Sequence, residues 1–497
     1  MPVQIEIIKV VYIDLKQIMK MFTKHKVFTG LALALTLVFV ETASAQQVLT
    51  IQQAVDNTLK NNLQIKQAAF SAALTAEDLT QSKNALLPSL NGSANYNKNF
   101  GRSIDPSTNQ YISQQFSSAS GSLTASADLF QGFQKINQIR QNKLLLSADK
   151  TNVEKIKNDL ILQVVTAYMQ ILYNKDLLAA SQQQLDVAKQ TLKREQALLD
   201  AGNKTLADIS QAKSQVATAE LNTTNAQNTL SISYLTLNQL MEMQPENRFE
   251  VQAPAVADNY SLQNNFDIST VFGTAVNSFP DIKLASLRTQ AALKGVDIAK
   301  SSYYPRLSIG GGLGSNFSSG RSKVLSITPN GFSEIGRTQV TNEAVVTPDF
   351  VTVLGKQTFS SQIEDNFNQY VGLNLSIPIF NGFLARTNVR KAKINYQNTQ
   401  VQEQLARNNL SKVISQAVYD LKAAESRYTS TQNAFNAQKD AFYVVEQRYN
   451  VGLVNSLDYS TAQTNRNKAE IDFIQAKYDL IFRAKVIDYY LGKPIIF

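Results

Sequence analysis

Two stretches of this chain, Phe133 to Leu199 and Phe383 to Tyr449, each run 67 residues without a proline or a glycine, and they begin 250 positions apart. A helix of that length is about 100 Å long at about 1.5 Å per residue. No compact globule needs such an element, so the chain must build something elongated. Within the second stretch Leu410, Ile414, Ala417, Leu421, Ala424, Tyr428, Thr431, Phe435, Phe442, Val445 and Tyr449 step alternately four and three apart, with Gln438 interrupting. Subtracting 250 gives Leu160, Val164, Ala167, Ile171, Asn174, Leu178, Ser181, Leu185, Ala188, Leu192, Glu195 and Leu199. A repeat of 3.5 residues implies supercoiled helix packing.

The constant offset points to a duplication. Leu129-Phe130-Gln131-Gly132-Phe133 recurs as Ile379-Phe380-Asn381-Gly382-Phe383, and Ala201-Gly202 with Asp208 recurs as Val451-Gly452 with Asp458, all at 250. Upstream, Leu87-Pro88-Ser89-Leu90 recurs as Tyr304-Pro305-Arg306-Leu307 at an offset of only 217, so the second copy carries 33 extra residues between Pro305 and Phe380. Each copy reads as helix, strand, loop, strand, long helix, turn, helix. The expected division is a leader over 1–45, a first repeat over 46–244, a linker over 245–266 and a second repeat over 267–497. Strands are expected near 89–97, 120–130, 307–317 and 369–380, long helices over 133–199 and 383–449, and shorter helices over 207–241 and 458–491. Gly202 and Gly452 sit where each long helix must reverse, a place for a left-handed helix cap.

The strands alternate. Leu90, Gly92, Ala94 and Tyr96 interleave with Asn91, Ser93, Asn95 and Asn97, and Leu123, Ala125, Ala127 and Leu129 interleave with Thr124, Ser126 and Asp128. Leu307, Ile309, Gly311 and Leu313, then Val371, Leu373, Leu375, Ile377 and Ile379, do the same in the second copy. One apolar and one polar face fit a soluble sandwich or a membrane barrel equally. Four strands cannot close on themselves around a pore, and an open sheet in lipid would strand its edge backbone groups. Either the sheet is soluble or several chains share one barrel.

Residues 21 to 45 read as a secretory signal peptide, with Lys24 and Lys26 before an apolar run from Val27 to Val40 and Ala43-Ser44-Ala45 as the cleavage site. Glu6 and Asp14 do not suit such a leader, so translation is expected to start at Met19 or Met21. Loss of 1–45 removes the only histidine, His25, and leaves about +7 of the formal +9 charge. With no cysteine and no histidine, thiol chemistry, thiolate or imidazole metal sites and His-based triads are excluded, as is a lipid anchor on cysteine. Past the leader no run approaches 18 apolar residues, so a membrane crossing would have to be made by strands.

A signal peptide, two copies of a Leu-Pro-x-Leu-type strand entry, the Phe-x-Gly-Phe turn into a very long helix, and the Val451-Gly452-Leu453 reversal followed by Ser456-Leu457-Asp458-Tyr459 resemble the TolC family of outer-membrane efflux and secretion channels. The resemblance covers Val48 to Pro494. It implies an α+β membrane protein in which a homotrimer pools four strands per chain into one twelve-stranded outer-membrane β-barrel in outer-membrane lipid, continued by a coiled-coil α-helical barrel in the periplasm. By the same resemblance, Asn97 to Ser118 and Ser318 to Asn366 are extracellular loops, and the reversals at Gly202 and Gly452 form the periplasmic tip that meets an adaptor (membrane fusion) protein. An inner-membrane exporter of RND, ABC or MFS type would supply small molecules or proteins as cargo. No enzyme activity and no cofactor are implied.

Family members close the tip by polar links between helix pairs. Carried over by position, Asp208 and Tyr449 fall on the latch aspartate and tyrosine, which makes a Tyr449–Asp208 hydrogen bond the expected link. Asp458 keeps the first of two pore-lining aspartates, whereas Thr461 stands for the second and Val454 for the latch arginine. Asp208 and Asp458 also lie where an acid favours a helix N-terminus for structural reasons alone.

Other signals are weaker. Gly310-Gly311-Gly312-Leu313-Gly314 lacks the Gly-Lys-Ser/Thr ending of a phosphate loop and leads into no helix. Lys and Arg are scattered among acids, not clustered with aromatics, so no nucleic-acid partner is expected. Ile495-Ile496-Phe497 reads as terminal packing. The low charge, 18% of residues, fits lipid-facing strands and a neutral polar conduit. The rival from another class is an exported coiled-coil adhesin or periplasmic scaffold with no pore.

Overall fold

The computed structural model describes residues 47–104, 109, 111–112, 115–244, 249–253 and 266–493. The leader over 1–45, most of the linker and the terminal Phe497 lie outside the described residues.

The chain enters through strand β1 (Gln47–Leu49) and helices α1 (Ile51–Asn61) and α2 (Leu63–Asn84). A reciprocal cap starts α1: Thr50 Oγ1 accepts from the Gln53 amide, and Gln53 Oε1 accepts from the Thr50 amide. Next come β2 (Ser89–Asn99), the short β3 (Ser103–Ile104) and β4 (Tyr111–Ile112), and β5 (Phe116–Gln131). Helix α3 (Gln134–Asp200) is 67 residues long, and α4 (Leu206–Leu240) returns along it. The second half follows through β6 (Phe249–Val251), α5 (Ile268–Ser278), α6 (Pro280–Lys300), β7 (Arg306–Ser318), β8 (Ser322–Arg337), β9 (Ala344–Lys356), α7 (Phe359–Asp365) and β10 (Asn368–Ser376). It ends with α8 (Leu384–Asn450), again 67 residues, and α9 (Ser456–Tyr490).

The turn from sheet to long helix is built the same way twice. Gly132 and Phe133 take φ of 59° and 65°, and Gly382 and Phe383 take 63° and 61°. Two successive left-handed residues swing the chain out of the sheet and into the helix. A Cβ on Gly132 would meet the Ser301 carbonyl oxygen at 2.7 Å, so only glycine fits there. Phe130 packs edge-on against Phe133 at 5.3 Å, and Phe380 against Phe383 at 5.5 Å.

The 3.5-residue seam is where the helices bury themselves. Leu160, Val164, Ala167, Ile171, Asn174, Ser181, Ala188 and Glu195 are buried along α3, as are Leu410, Ile414, Ala417, Leu421 and Ala424 along α8. Farther along α8 the seam thins to half-buried Phe435, Gln438, Phe442 and Val445 and then closes on buried Tyr449. One core joins Val164, Tyr168, Ile171 and Leu172 to Leu237, Met241 and the small parallel β1–β6 sheet. The Tyr168 hydroxyl clamps that sheet by donating to the Leu49 and Gln252 carbonyls, at 2.8 Å each. The other core joins Ile414, Val418 and Leu421 to Val271, Ile282, Leu480 and Ile487.

The main sheet runs β10-β7-β5-β2 with every neighbouring pair antiparallel. Its rows put like on like: Leu90 faces Ala125, Ala125 faces Gly311 and Gly311 faces Val371 on the apolar side. On the other side the hydroxyls of Ser93 and Ser122 meet at 2.8 Å. The apolar side is uncovered within the chain, Val371 being 83% exposed.

Four sequence expectations change. A register shift between Asp128 and Phe130 sets Phe130, not Leu129, opposite Leu307, so Leu129 leaves the alternation. The fourth strand stops at Ser376, short of 380. The stretch 245–266 holds strand β6, paired in parallel with β1. Above all, Ser318 to Asn366, expected only as a loop with no elements of its own named, holds the antiparallel hairpin β8–β9 and helix α7.

Candidate functional site at the helical tip

The long helices end alike. After α3 the Gly202 amide donates to the Leu199 carbonyl and the Asn203 amide to Leu198, with Gly202 at φ 78°. After α8 the Gly452 and Leu453 amides donate to the Tyr449 and Arg448 carbonyls, with Gly452 at φ 80°. Both are left-handed glycine caps. A Cβ on either glycine would meet nothing within 4 Å, so these turns lie open.

Each return helix then starts on a side-chain cap. Asp208 Oδ2 accepts from the Thr205 amide at 3.1 Å and from Thr205 Oγ1 at 2.8 Å, and Thr205 Oγ1 accepts from the Asp208 amide. Asn455 Oδ1 accepts from the Asp458 amide at 2.8 Å. Asp458 is exposed on the first turn of α9.

The two halves meet through Asp208. Its other carboxylate oxygen accepts from Ser456 Oγ, which joins the starts of α4 and α9. The Ser456 hydroxyl, then the Thr205 donors and the nearby Lys204 charge, hold the Asp208 carboxyl down to about 2. A little deeper, Gln215 of α4 bonds to Ser460 of α9.

Tyr449 is buried beside this link but does not join it. Its ring stacks on Tyr459 at 4.3 Å and 17°, with Arg194 Cζ 5.0 Å and Lys204 Nζ 5.3 Å from its centre. Its hydroxyl has no hydrogen-bond partner among the described residues. The expected Tyr449–Asp208 hydrogen bond is therefore not formed. Asp208 is engaged by its own helix start and by Ser456, while Tyr449 is held through its ring. Burial raises the Tyr459 hydroxyl above its ordinary value, against an opposing bond to Thr191.

Four further residues complete the tip. Arg194 donates to the side chain of Asn450 and, at 3.3 Å, to the Asn450 carbonyl, which ties the end of α3 to the end of α8. Glu195 is 1% exposed and pairs with Lys204 Nζ at 3.3 Å. An acid at a buried seam position, as the repeat places Glu195, is itself a signal that a cation must stand nearby. Ser456 stands in the sequence only as the first residue of the motif after the reversal, with no bonding role attached, and nothing marks Arg194. Higher up, Tyr478 donates to Asp176 at 2.7 Å, and Arg483 pairs with Asp420 at 2.7 Å.

Between α3, α4 and α9 lies a cleft of about 420 Å³, lined by Gln184, Gln215, Thr218, Ser460, Gln463 and Asn467 among others. Among the described residues no three His, Cys, Asp or Glu side chains converge as a metal site. Nor is any described helix long and apolar enough to cross a membrane.

The outer membrane efflux protein family matches residues 54–241 and 272–492, nearly the whole described chain in two segments. The chain belongs to the outer membrane efflux protein family. The TolC-family resemblance read from the sequence is thus borne out. Among relatives of this efflux family, Toxin and drug export protein A of Aggregatibacter actinomycetemcomitans is 23% identical over 440 residues, covering 87% of this chain and 83% of that protein. Outer membrane efflux protein BepC of Brucella suis is 21% identical over 442 residues, covering 87% and 85%. The solved CusC channel matches with a TM-score of 0.71 at 14% identity, over 89% of this chain and 92% of that one, a likeness of fold.

Proposed function

We propose that three copies of this chain form a channel-tunnel: a shared twelve-stranded barrel in the outer membrane and a helical conduit reaching about 100 Å into the periplasm. The observation that carries this reading is the main sheet. Its apolar face is uncovered, and the edge strands β2 and β10 are each paired on one side only. Pairing β10 of one copy with β2 of the next removes every edge and turns the apolar face to lipid. The 67-residue helices then become staves of the conduit.

Cargo passes down this conduit without chemistry. Small molecules or proteins would be handed over by an inner-membrane exporter of RND, ABC or MFS type through a periplasmic adaptor. The open turns at Gly202 and Gly452 and the polar cleft between α4 and α9 offer that adaptor its seat. The closing contacts at the tip are Asp208–Ser456 and Arg194–Asn450, with Tyr449 stacked on Tyr459 beneath Arg194. Asp458, exposed on its first turn, supplies negative charge near the entrance.

Mass measurement in detergent tests the assembly. The channel requires detergent for extraction and the mass of three chains of at most 55.0 kDa each. A monomer released without detergent would sink it and favour a stalk or scaffold.

A further inference from the structure

The hairpin β8–β9 is the part of the molecule that the channel reading leaves without a role. Its paired rows sort into two faces. Val324 with Leu354, Ile327 with Thr352, Pro329 with Phe350, Phe332 with Pro348 and Glu334 with Val346 share one face. Lys323, Ser326, Thr328 and Ser333 of β8 lie on the other, opposite Gly355, Val353, Val351 and Thr347. The first face is therefore an apolar stripe, and it is bare: Phe332 is 72% exposed, and Ile327, Phe350 and Leu354 are exposed as well. A lone two-stranded ribbon is marginal in water. Something must cover this stripe.

The base of the hairpin is built to hold a direction. Gln362 of α7, fully buried, accepts from the Ser318 amide at 2.9 Å and donates to the Ser318 carbonyl at 2.9 Å and the Gln357 carbonyl at 3.1 Å. Asn366 donates to the Asn316 carbonyl at 2.7 Å and accepts from Arg321, and Phe317 packs on Phe359 at 5.1 Å. These bonds fasten both feet of the hairpin to the end of β7, next to the edge strand β10.

Its edges are blunted as templates for further strands. Pro329 and Pro348 remove a backbone donor from each strand, and register shifts between Val324 and Ser326, Pro329 and Phe332, and Glu334 and Gly336 twist the ribbon. A partner must come by the face. Residues 322–356 carry Lys323, Arg337 and Lys356 against Glu334, Glu343 and Asp349, a balance of zero, so nothing recruits an acidic or basic stranger and nothing repels an identical copy.

We propose that the occupant of the apolar face is the same hairpin from the neighbouring copies. This rests on the trimeric barrel. A closed twelve-stranded barrel with strands about 4.8 Å apart and tilted about 40° is roughly 24 Å across, which sets the three feet roughly 20 Å apart. Each ribbon is about 50 Å long at about 3.3 Å per residue, so three can meet over most of their length. The hairpins form a second assembly interface, outside the membrane and continuous with the β10–β2 seam.

The chain has no cysteine, so single reporters are clean. In the full-length protein in outer membranes, Ile327→Cys on the apolar face and Ser333→Cys on the other are each treated with a flexible bis-maleimide. The double variant Asn91→Cys with Asn374→Cys reports the barrel seam independently. The expected result is covalent oligomers from Ile327→Cys, severalfold above Ser333→Cys, that disappear when Phe332→Glu and Phe350→Glu are added while the seam cross-link persists. Seam cross-links without hairpin cross-links would overturn the proposal and leave the channel standing, whether the face is then found shielded by lipid, by another protein or not at all. Absence of both would remove the trimer, and the proposal with it.

Discussion

The carboxylate of Asp208, in the first turn of one return helix, accepts a hydrogen bond from the hydroxyl of Ser456, the first residue of the other. Asp208 also caps its own helix, so deleting the carboxylate would confound two roles. Ser456→Ala separates them, removing only the contact between the halves. A hydrogen bond to a charged acceptor contributes about 1.5–3 kcal/mol. Amide hydrogen exchange over 200–208 and 450–458 should speed up by a corresponding factor in Ser456→Ala, with the central helices unchanged.

The same link is pH dependent in one direction. The Asp208 carboxyl titrates at about 2 in the folded tip, against an ordinary 3.8. A group depressed on folding stabilises fully above its unfolded value and loses that contribution as pH falls through the folded one. The tip should therefore hold from neutrality to about pH 4 and loosen between about 4 and 2. Protection factors of the tip amides, taken relative to the intrinsic exchange rate at each pH, should show the transition in the natural chain and lose it in Asp208→Asn.

Buried Glu195 and half-buried Lys204 make a pair whose loss is asymmetric. Lys204→Met strands a carboxylate that is 1% exposed. Breaking such a pair from one side costs about 3–5 kcal/mol, whereas replacing both partners costs far less. Denaturant unfolding in detergent should show Lys204→Met as the less stable variant, with stability regained when Glu195→Gln is added.

Away from the tip, the Tyr168 hydroxyl serves two carbonyls, those of Leu49 and Gln252. Burial pushes this hydroxyl up to about 12, so it stays a donor across the physiological range. Tyr168→Phe should cost about 1–3 kcal/mol and raise protease sensitivity near residue 50. In the other core Ile414→Ala, at a fully buried seam position, should cost about 2–5 kcal/mol.

What could be read in advance divides along physical lines. The long helices were legible because a 67-residue run without proline or glycine has few alternatives, and because burial at Ile171 or Ile414 follows a period carried by the sequence itself. The hairpin β8–β9 was not legible. Its bulges at Leu325 and Ile335 shift the alternation, and Pro329 and Pro348 read as loop residues. The tip failed for a different reason. Which side chain approaches Asp208 depends on how one helix pair is rotated against the other, and no local pattern encodes that rotation. Positional analogy chose Tyr449, whereas the geometry chose Ser456.

If three chains enclose a pore, single-channel recording in a planar bilayer registers it. Purified full-length protein should insert and give discrete, uniform conductance steps, with larger steps in Ser456→Ala combined with Arg194→Ala, which release both ties at the tip. Membranes that stay silent, with folded protein shown to be inserted in them, would contradict the account.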